Sequence, residues 1–317
     1  MFLLQAFKRA NEFWKYLLGS LFVIIASSIG QLPFLMVILR NKNIDNGFVI
    51  NPAKMYDGLN LNLLLFVLLL SFVVALGAII LVVKKLHRQK IKEIITSRYR
   101  TDRSRILFSF GVWGTLSAGM ILLTYFTEPG KYILQFDLVN FAILFIISLI
   151  MIPIQTTVEE MVFRGYLMQG FGLLARNRWF PLVMTSVIFG SLHLLNPEAD
   201  KMGYIVSVYY IGTGLFLGIM TLMDEGTELA LGFHAANNLI AALLVTADWT
   251  VFQTYSVFKD VSEPSAGIDI IIPVLVIYPV LLFIFARKYK WNNWKEKLTG
   301  KLVPLQGDQN FKESTYE

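Results

Sequence analysis

Two of the three histidines, His193 and His234, and an adjacent pair of glutamates, Glu159 and Glu160, lie in stretches otherwise apolar enough to cross a bilayer. Ionisable side chains at membrane depth are expensive to bury, so they face a bundle interior or a wet cavity and usually serve a function. Arg164 follows Glu160 by four residues, and Asn238 follows His234 by four. A carboxylate that takes a proton from water, imidazoles that orient it, and an amide that donates to a developing oxyanion together suit hydrolysis. The set suggests hydrolytic chemistry inside a membrane.

Helix geometry divides the two acids. Adjacent residues differ by ~100° around a helix, so Glu159 and Glu160 cannot both point at one reacting atom. Glu160 and Arg164 stand in the favourable order for an i,i+4 ion pair, which leaves Glu159 as the freer carboxylate. Phe189 shares a helix face with His193, as His234 does with Asn238. Either histidine taken alone also reads as a structural bundle residue, and the His234–Asn238 pair as an interhelical clamp.

The elements that must position these groups are transmembrane helices. The chain has 317 residues, 56% of them hydrophobic and 16% charged, against ~25% charged in soluble domains. An all-α, polytopic membrane bundle of about eight transmembrane helices follows, since ~20 apolar residues cross a bilayer core. The expected spans are 14–39, 61–83, 106–126, 137–158, 181–195, 204–223, 229–246 and 268–286. The absence of cysteine excludes disulfides and thiolate metal ligands. The net charge of +6 is a membrane signature here, not a nucleic-acid one. No cleavable signal pattern precedes the first span, which reads as an anchor.

Segment 84–105 carries nine Lys or Arg residues, and the tail after the last span adds six more from Arg287 to Lys301. The positive-inside rule places both, and the N-terminus, in the cytoplasm. In that reading the basic loop fixes topology and touches anionic lipid, and His87 within it is solvated. Gly214 and Gly218 form a small-xxx-small pair that marks close helix packing. Residues 1–134 read as accessory helices with the basic loop, 135–290 as a catalytic core and 291–317 as a tail.

Span four does not stop at the membrane surface, because helix-forming residues continue to Asn177. With residue 177 as the tip of a cytoplasmic hairpin, Glu159 and His193 lie roughly 27 and 24 Å from it, and His234 lies roughly 12 Å beyond the turn at Gly226. The levels coincide if the hairpin projects ~13 Å into the cytoplasm, with Gln169, Arg176 and Arg178 near its tip.

The runs EEMVFRGYL (159–167), FGSLHLLN (189–196) and HAANN (234–238) resemble the three motifs of the CAAX prenyl protease type 2 and bacteriocin-processing (CPBP) family of intramembrane peptidases. Each run is weak alone; three in order on membrane spans make a specific signal covering roughly residues 135–246. The resemblance implies that Glu159 and His193 activate the hydrolytic water, that His234 and Asn238 stabilise the oxyanion, and that Glu160 and Arg164 support them. Asn196 fits a companion of the second motif, or a helix cap. A zinc version would use Glu159, His193 and His234 with water in the fourth position, although the HExxH spacing is absent. The cofactor stays open between none and zinc.

The implied activity is endoproteolysis of a membrane-associated peptide or prenylated protein, with membrane lipids as the other partner and no nucleic acid. A bacterial inner membrane, with both termini cytoplasmic, is the expected location. The rivals are a proton-coupled transporter and a non-catalytic immunity or scaffold protein. No inverted repeat favours the transporter, and Glu159→Gln separates a peptidase from a scaffold.

Overall fold

The computed structural model describes residues 1–9, 11–41, 56, 58–264 and 267–303. Its helices are α1 (Phe13–Gly30), α2 (Leu32–Leu39), α3 (Leu61–Leu81), α4 (Arg103–Thr127), α5 (Leu138–Glu160), α6 (Met168–Ala175) and α7 (Trp179–His193). They continue with α8 (Pro197–Met202), α9 (Val206–Asp224), α10 (Glu228–Leu244), α11 (Ile268–Ile272), α12 (Tyr278–Tyr289) and α13 (Trp294–Thr299). Among the described residues six helical runs are long and apolar enough to cross a membrane, and α7 and α10 are shorter apolar helices. In order, these eight elements answer to the eight expected spans, and the chain is an all-α polytopic bundle.

Side-chain caps start three of the long helices. Asn60, Asp102 and Asp137 accept the backbone N–H of Leu63, Ser104 and Asn140, satisfying donors that a helix start leaves open. Helix α5 passes Pro153 and runs into a π-turn at Met161–Leu167 before continuing as α6. A widened turn of this kind recurs at functional sites, because it re-aims the side chains on either side of it.

Without water to drive apolar burial, helices in a bilayer are held by close packing, which small residues permit. On α9, Gly214 lies against Ser186 of α7 and Gly218 against Leu182. Helix α10 presses along α4 so closely that a Cβ on Gly232 would strike the Ile106 carbonyl. Helix α5 is held between α3 and α10. An aromatic core of Trp113, Phe216, Phe233 and Tyr278 ties α4, α9, α10 and α12, with Phe216 stacked on Tyr278 at 4.4 Å.

The end of the bundle that carries the basic residues differs from expectation. His87 is 2% exposed rather than solvated: its Nδ1 meets Asn11 Oδ1 at 3.0 Å and its Nε2 the Tyr166 hydroxyl at 2.8 Å. The loop around it packs as part of the fold. Thr227 donates its N–H to Ile95 O at 2.7 Å, and Gly165 sits directly against the Ile94 carbonyl. Gln169 and Arg178 are buried as well, where a bare projecting hairpin would expose them. The 3₁₀ turn Leu3–Lys8, the basic loop and residues 294–302 sheathe that hairpin, with Gln169 donating to Glu93 O and Leu302 to Arg176 O. Partners so distant in sequence leave no local signal. Part of the expected tail, 304–317, lies outside the described residues.

At the opposite end, three short strands form a sheet in the order β1 (Tyr132–Leu134), β3 (Phe258–Asp260), β2 (Val245–Ala247). Strand β3 pairs antiparallel with β1 and parallel with β2. It gathers the ends of α4, α5 and α10 into one cap.

Candidate active site

The end of α5 supplies both glutamates, and they meet α10 at one imidazole. His234 Nδ1 is 2.7 Å from Glu160 Oε1, and His234 Nε2 is 3.4 Å from Glu159 Oε2. The ~100° step between adjacent helical residues is what lets the two acids take opposite edges of the ring. Glu160 Oε1 also accepts from Arg164 Nη1 at 3.1 Å. The π-turn places that arginine under the site, where it is 1% exposed, lies 4.3 Å over the Phe189 ring and donates to Gly214 O.

Glu160, Arg164 and His234 therefore form a buried charged unit. Breaking a buried ion pair by removing one partner costs about 3–5 kcal/mol, because the other charge stays behind. His234 also faces a constraint of its own. With Nδ1–H donating to Glu160, Nε2 faces Glu159 Oε2 across 3.4 Å, a gap closed by no hydrogen bond within the protein.

Glu159, His193 and Asn238 lie on the more accessible side of this unit. Glu159 Oε1 accepts from Gln155 Nε2 at 3.1 Å, while its Oε2 is buried without a hydrogen-bond partner. His193 ends α7, and its Nδ1 donates to Phe189 O at 2.8 Å, which leaves the lone pair on Nε2. The Phe189 ring lies between the histidines, 4.3 Å from His193 and 6.1 Å from His234. His193 is within electrostatic reach of Glu159, His234 and Arg164. Asn238 reaches the same place from α10 through Gln155 Oε1, 3.3 Å from its Nδ2.

Asn196 stands at the start of α8 and makes no capping bond there. It turns instead to Tyr210, whose ring lies 4.9 Å from His193.

The donor set does not suit zinc. Among the described residues no three His, Cys, Asp or Glu side chains are grouped to hold a metal ion. His234 gives its Nδ1–H to Glu160 and turns its Nε2 to Glu159 Oε2 at 3.4 Å, and His193 does not join them as a third grouped ligand of the expected triad.

All six residues singled out from the sequence belong to one neighbourhood. Those missed are amides and aromatics: Gln155, Asn237, Trp113 and Tyr210. Gln155 had a signal, since it precedes Glu159 by four residues on the same helix face. Trp113 had none, because the Asn237 it meets is 124 positions away.

Residues 138–240 match the family model described as type II CAAX prenyl endopeptidase Rce1-like. The uncharacterized protein YyaK of Bacillus subtilis (strain 168) is 29% identical over 247 residues, covering 76% of this chain and 81% of that protein. No solved structure matches the chain.

Proposed function

We propose, from the match of residues 138–240 to the family model of Rce1-like type II CAAX prenyl endopeptidases, that the chain is an intramembrane endopeptidase of that family. Its apolar helices make it an integral membrane protein. The substrate is a membrane-associated segment, lipid-anchored as the family's CAAX substrates are. The basic end of the bundle faces the cytoplasm, in keeping with the nine positive residues of 84–105.

One observation carries this proposal: Glu159 Oε2 is a buried carboxylate oxygen that no protein hydrogen bond occupies, 3.4 Å from His234 Nε2 and within electrostatic reach of His193. A water between Glu159 Oε2 and the His193 Nε2 lone pair is oriented by both and loses its proton to Glu159 as it attacks the scissile carbonyl. The oxyanion that forms takes hydrogen bonds from Asn238 Nδ2 and from protonated His234, held in place by Glu160 and Arg164. Collapse expels the amine, which takes the proton from Glu159. Water and peptide are consumed, and one acid and one amine are released. General acid–base catalysis of this kind contributes about 10²–10⁴-fold, and each oxyanion donor about 10²–10³-fold.

The test uses purified protein in proteoliposomes with a fluorogenic peptide, presented either lipid-anchored or free. The proposal expects cleavage of the anchored peptide that survives chelators. Failure to cleave either form, with or without added zinc, would overturn it. A host phenotype that persists unchanged in Glu159→Gln would favour a scaffold instead.

A further inference from the structure

Five side chains from three helices form a hydrogen-bond chain that ends on the proposed base. The Trp113 indole Nε1–H donates to Asn237 Oδ1 at 3.1 Å, and Asn237 Nδ2 donates to Asn238 Oδ1 at 3.1 Å. Asn238 Nδ2 donates to Gln155 Oε1 at 3.3 Å, and Gln155 Nε2 donates to Glu159 Oε1 at 3.1 Å. The direction is fixed from both ends. An indole only donates and an ionised carboxylate only accepts, so a single orientation of each amide satisfies both of its neighbours.

The chain acts on two groups that carry roles in the proposed reaction. Asn238 has its oxygen occupied by Asn237, so what it can offer a substrate carbonyl is its second Nδ2–H. An unheld Asn amide would present oxygen as readily as nitrogen. Glu159 has Oε1 tied to Gln155, which leaves Oε2 as the oxygen for water. We propose that Gln155, Asn237 and Trp113 are positioning residues for peptide hydrolysis, a one-way chain that keeps Asn238 a donor and Glu159 half-occupied; this rests on the endopeptidase reading above. Trp113 belongs to α4, outside 138–240, so a helix with no motif of its own feeds the site.

Helix packing allows this reach. Gly232 of α10 lies directly against the Ile106 carbonyl and Phe110 backbone of α4, and this close helix contact brings the indole to Asn237. The Trp113 ring is anchored separately, 4.6 Å from Phe233 and 6.4 Å from Tyr278. Trp113→Phe therefore removes the N–H and leaves an aromatic ring in place.

The test measures kcat and KM for the lipid-anchored peptide in proteoliposomes. Gln155→Met should lower kcat by about 10–100-fold and Trp113→Phe by about 3–10-fold, with KM unchanged, because the groups they orient act in the transition state. The double variant should be no slower than Gln155→Met, since both changes cut one chain. Losses that multiply in the double variant, or a change in KM alone, would overturn the proposal. So would a wild-type kcat in Trp113→Phe, a result that stands even if Gln155→Met fails to fold. A wild type without turnover defeats the functional reading and this inference together. Wild-type turnover with multiplying losses defeats the inference alone.

Discussion

Two charged clusters in this molecule are built from the same kinds of side chain and reach opposite states. At the basic end, Asp224 accepts from Arg98 at 2.8 Å, from Trp291 at 3.1 Å and from Arg105. Glu228 beside it accepts from Arg98 at 3.0 Å and from the Asp102 N–H at 3.2 Å. His87, in the same basic segment as Arg98, has both ring nitrogens engaged. Among the described residues, every carboxylate oxygen and imidazole nitrogen of this group has a partner or lies open to solvent. Within the bundle, Glu159 and Glu160 each keep one buried oxygen unpartnered, and His193 keeps a nitrogen free. Saturated networks hold a fold together, whereas buried atoms left unsatisfied need an explanation such as a catalytic role. On this contrast in carboxylates and imidazoles the basic end reads as architecture, and the α5–α7–α10 cluster is the proposed site of chemistry.

The largest effect that sharpens this contrast belongs to Arg164→Met. It strands Glu160 beside His234 and should destabilise the bundle by about 3–5 kcal/mol, read as an early thermal transition in detergent. A variant as stable as wild type would mean that the buried pair holds nothing. His193→Ala comes next: turnover should fall by about 10²-fold with the melting temperature unchanged. Asp224→Asn should do the reverse. Arg98 keeps Glu228 and Arg105 keeps Asp102, and the amide keeps the shape of the buried carboxylate, so the loss is about 1–3 kcal/mol of stability with turnover intact.

A further contrast concerns pH at the basic end. Burial, and after it the charge of Lys15, pushes His87 down from its ordinary 6.5 to about 4. The unfolded chain binds a proton there below about 6.5 that the folded loop refuses until about 4. Unfolding takes up a proton in that window, so the His87 contribution is full above it and is lost as pH falls through it. Comparing melting of wild type and His87→Gln from neutral pH to about 4 should show the wild type falling more steeply. Parallel slopes would contradict a neutral buried imidazole.

Local rules and motif spacing made some of this legible in the sequence. Hydropathy marks the six long apolar runs and the two shorter apolar helices, and the i,i+4 rule identifies the Glu160–Arg164 pair. The order of three short motifs gathered six residues that do share one neighbourhood. Long-range partners were not legible. His87 reads as a residue of a solvated basic loop because Asn11 and Tyr166 are 76 and 79 positions away. The Trp113–Asn237 contact spans 124 positions and leaves no periodic mark on either helix. Strands of three residues are too short for alternation to register. Sequence pattern also says nothing about which oxygen of a carboxylate is left free.

The central claim is that the unpartnered oxygen of Glu159 activates water. Turnover of the lipid-anchored peptide by Glu159→Gln, measured beside its thermal stability, tests that claim most directly. Cleavage should fall by about 10²–10⁴-fold while the protein melts as wild type does. A Glu159→Gln protein that folds normally and still cleaves at the wild-type rate would contradict it.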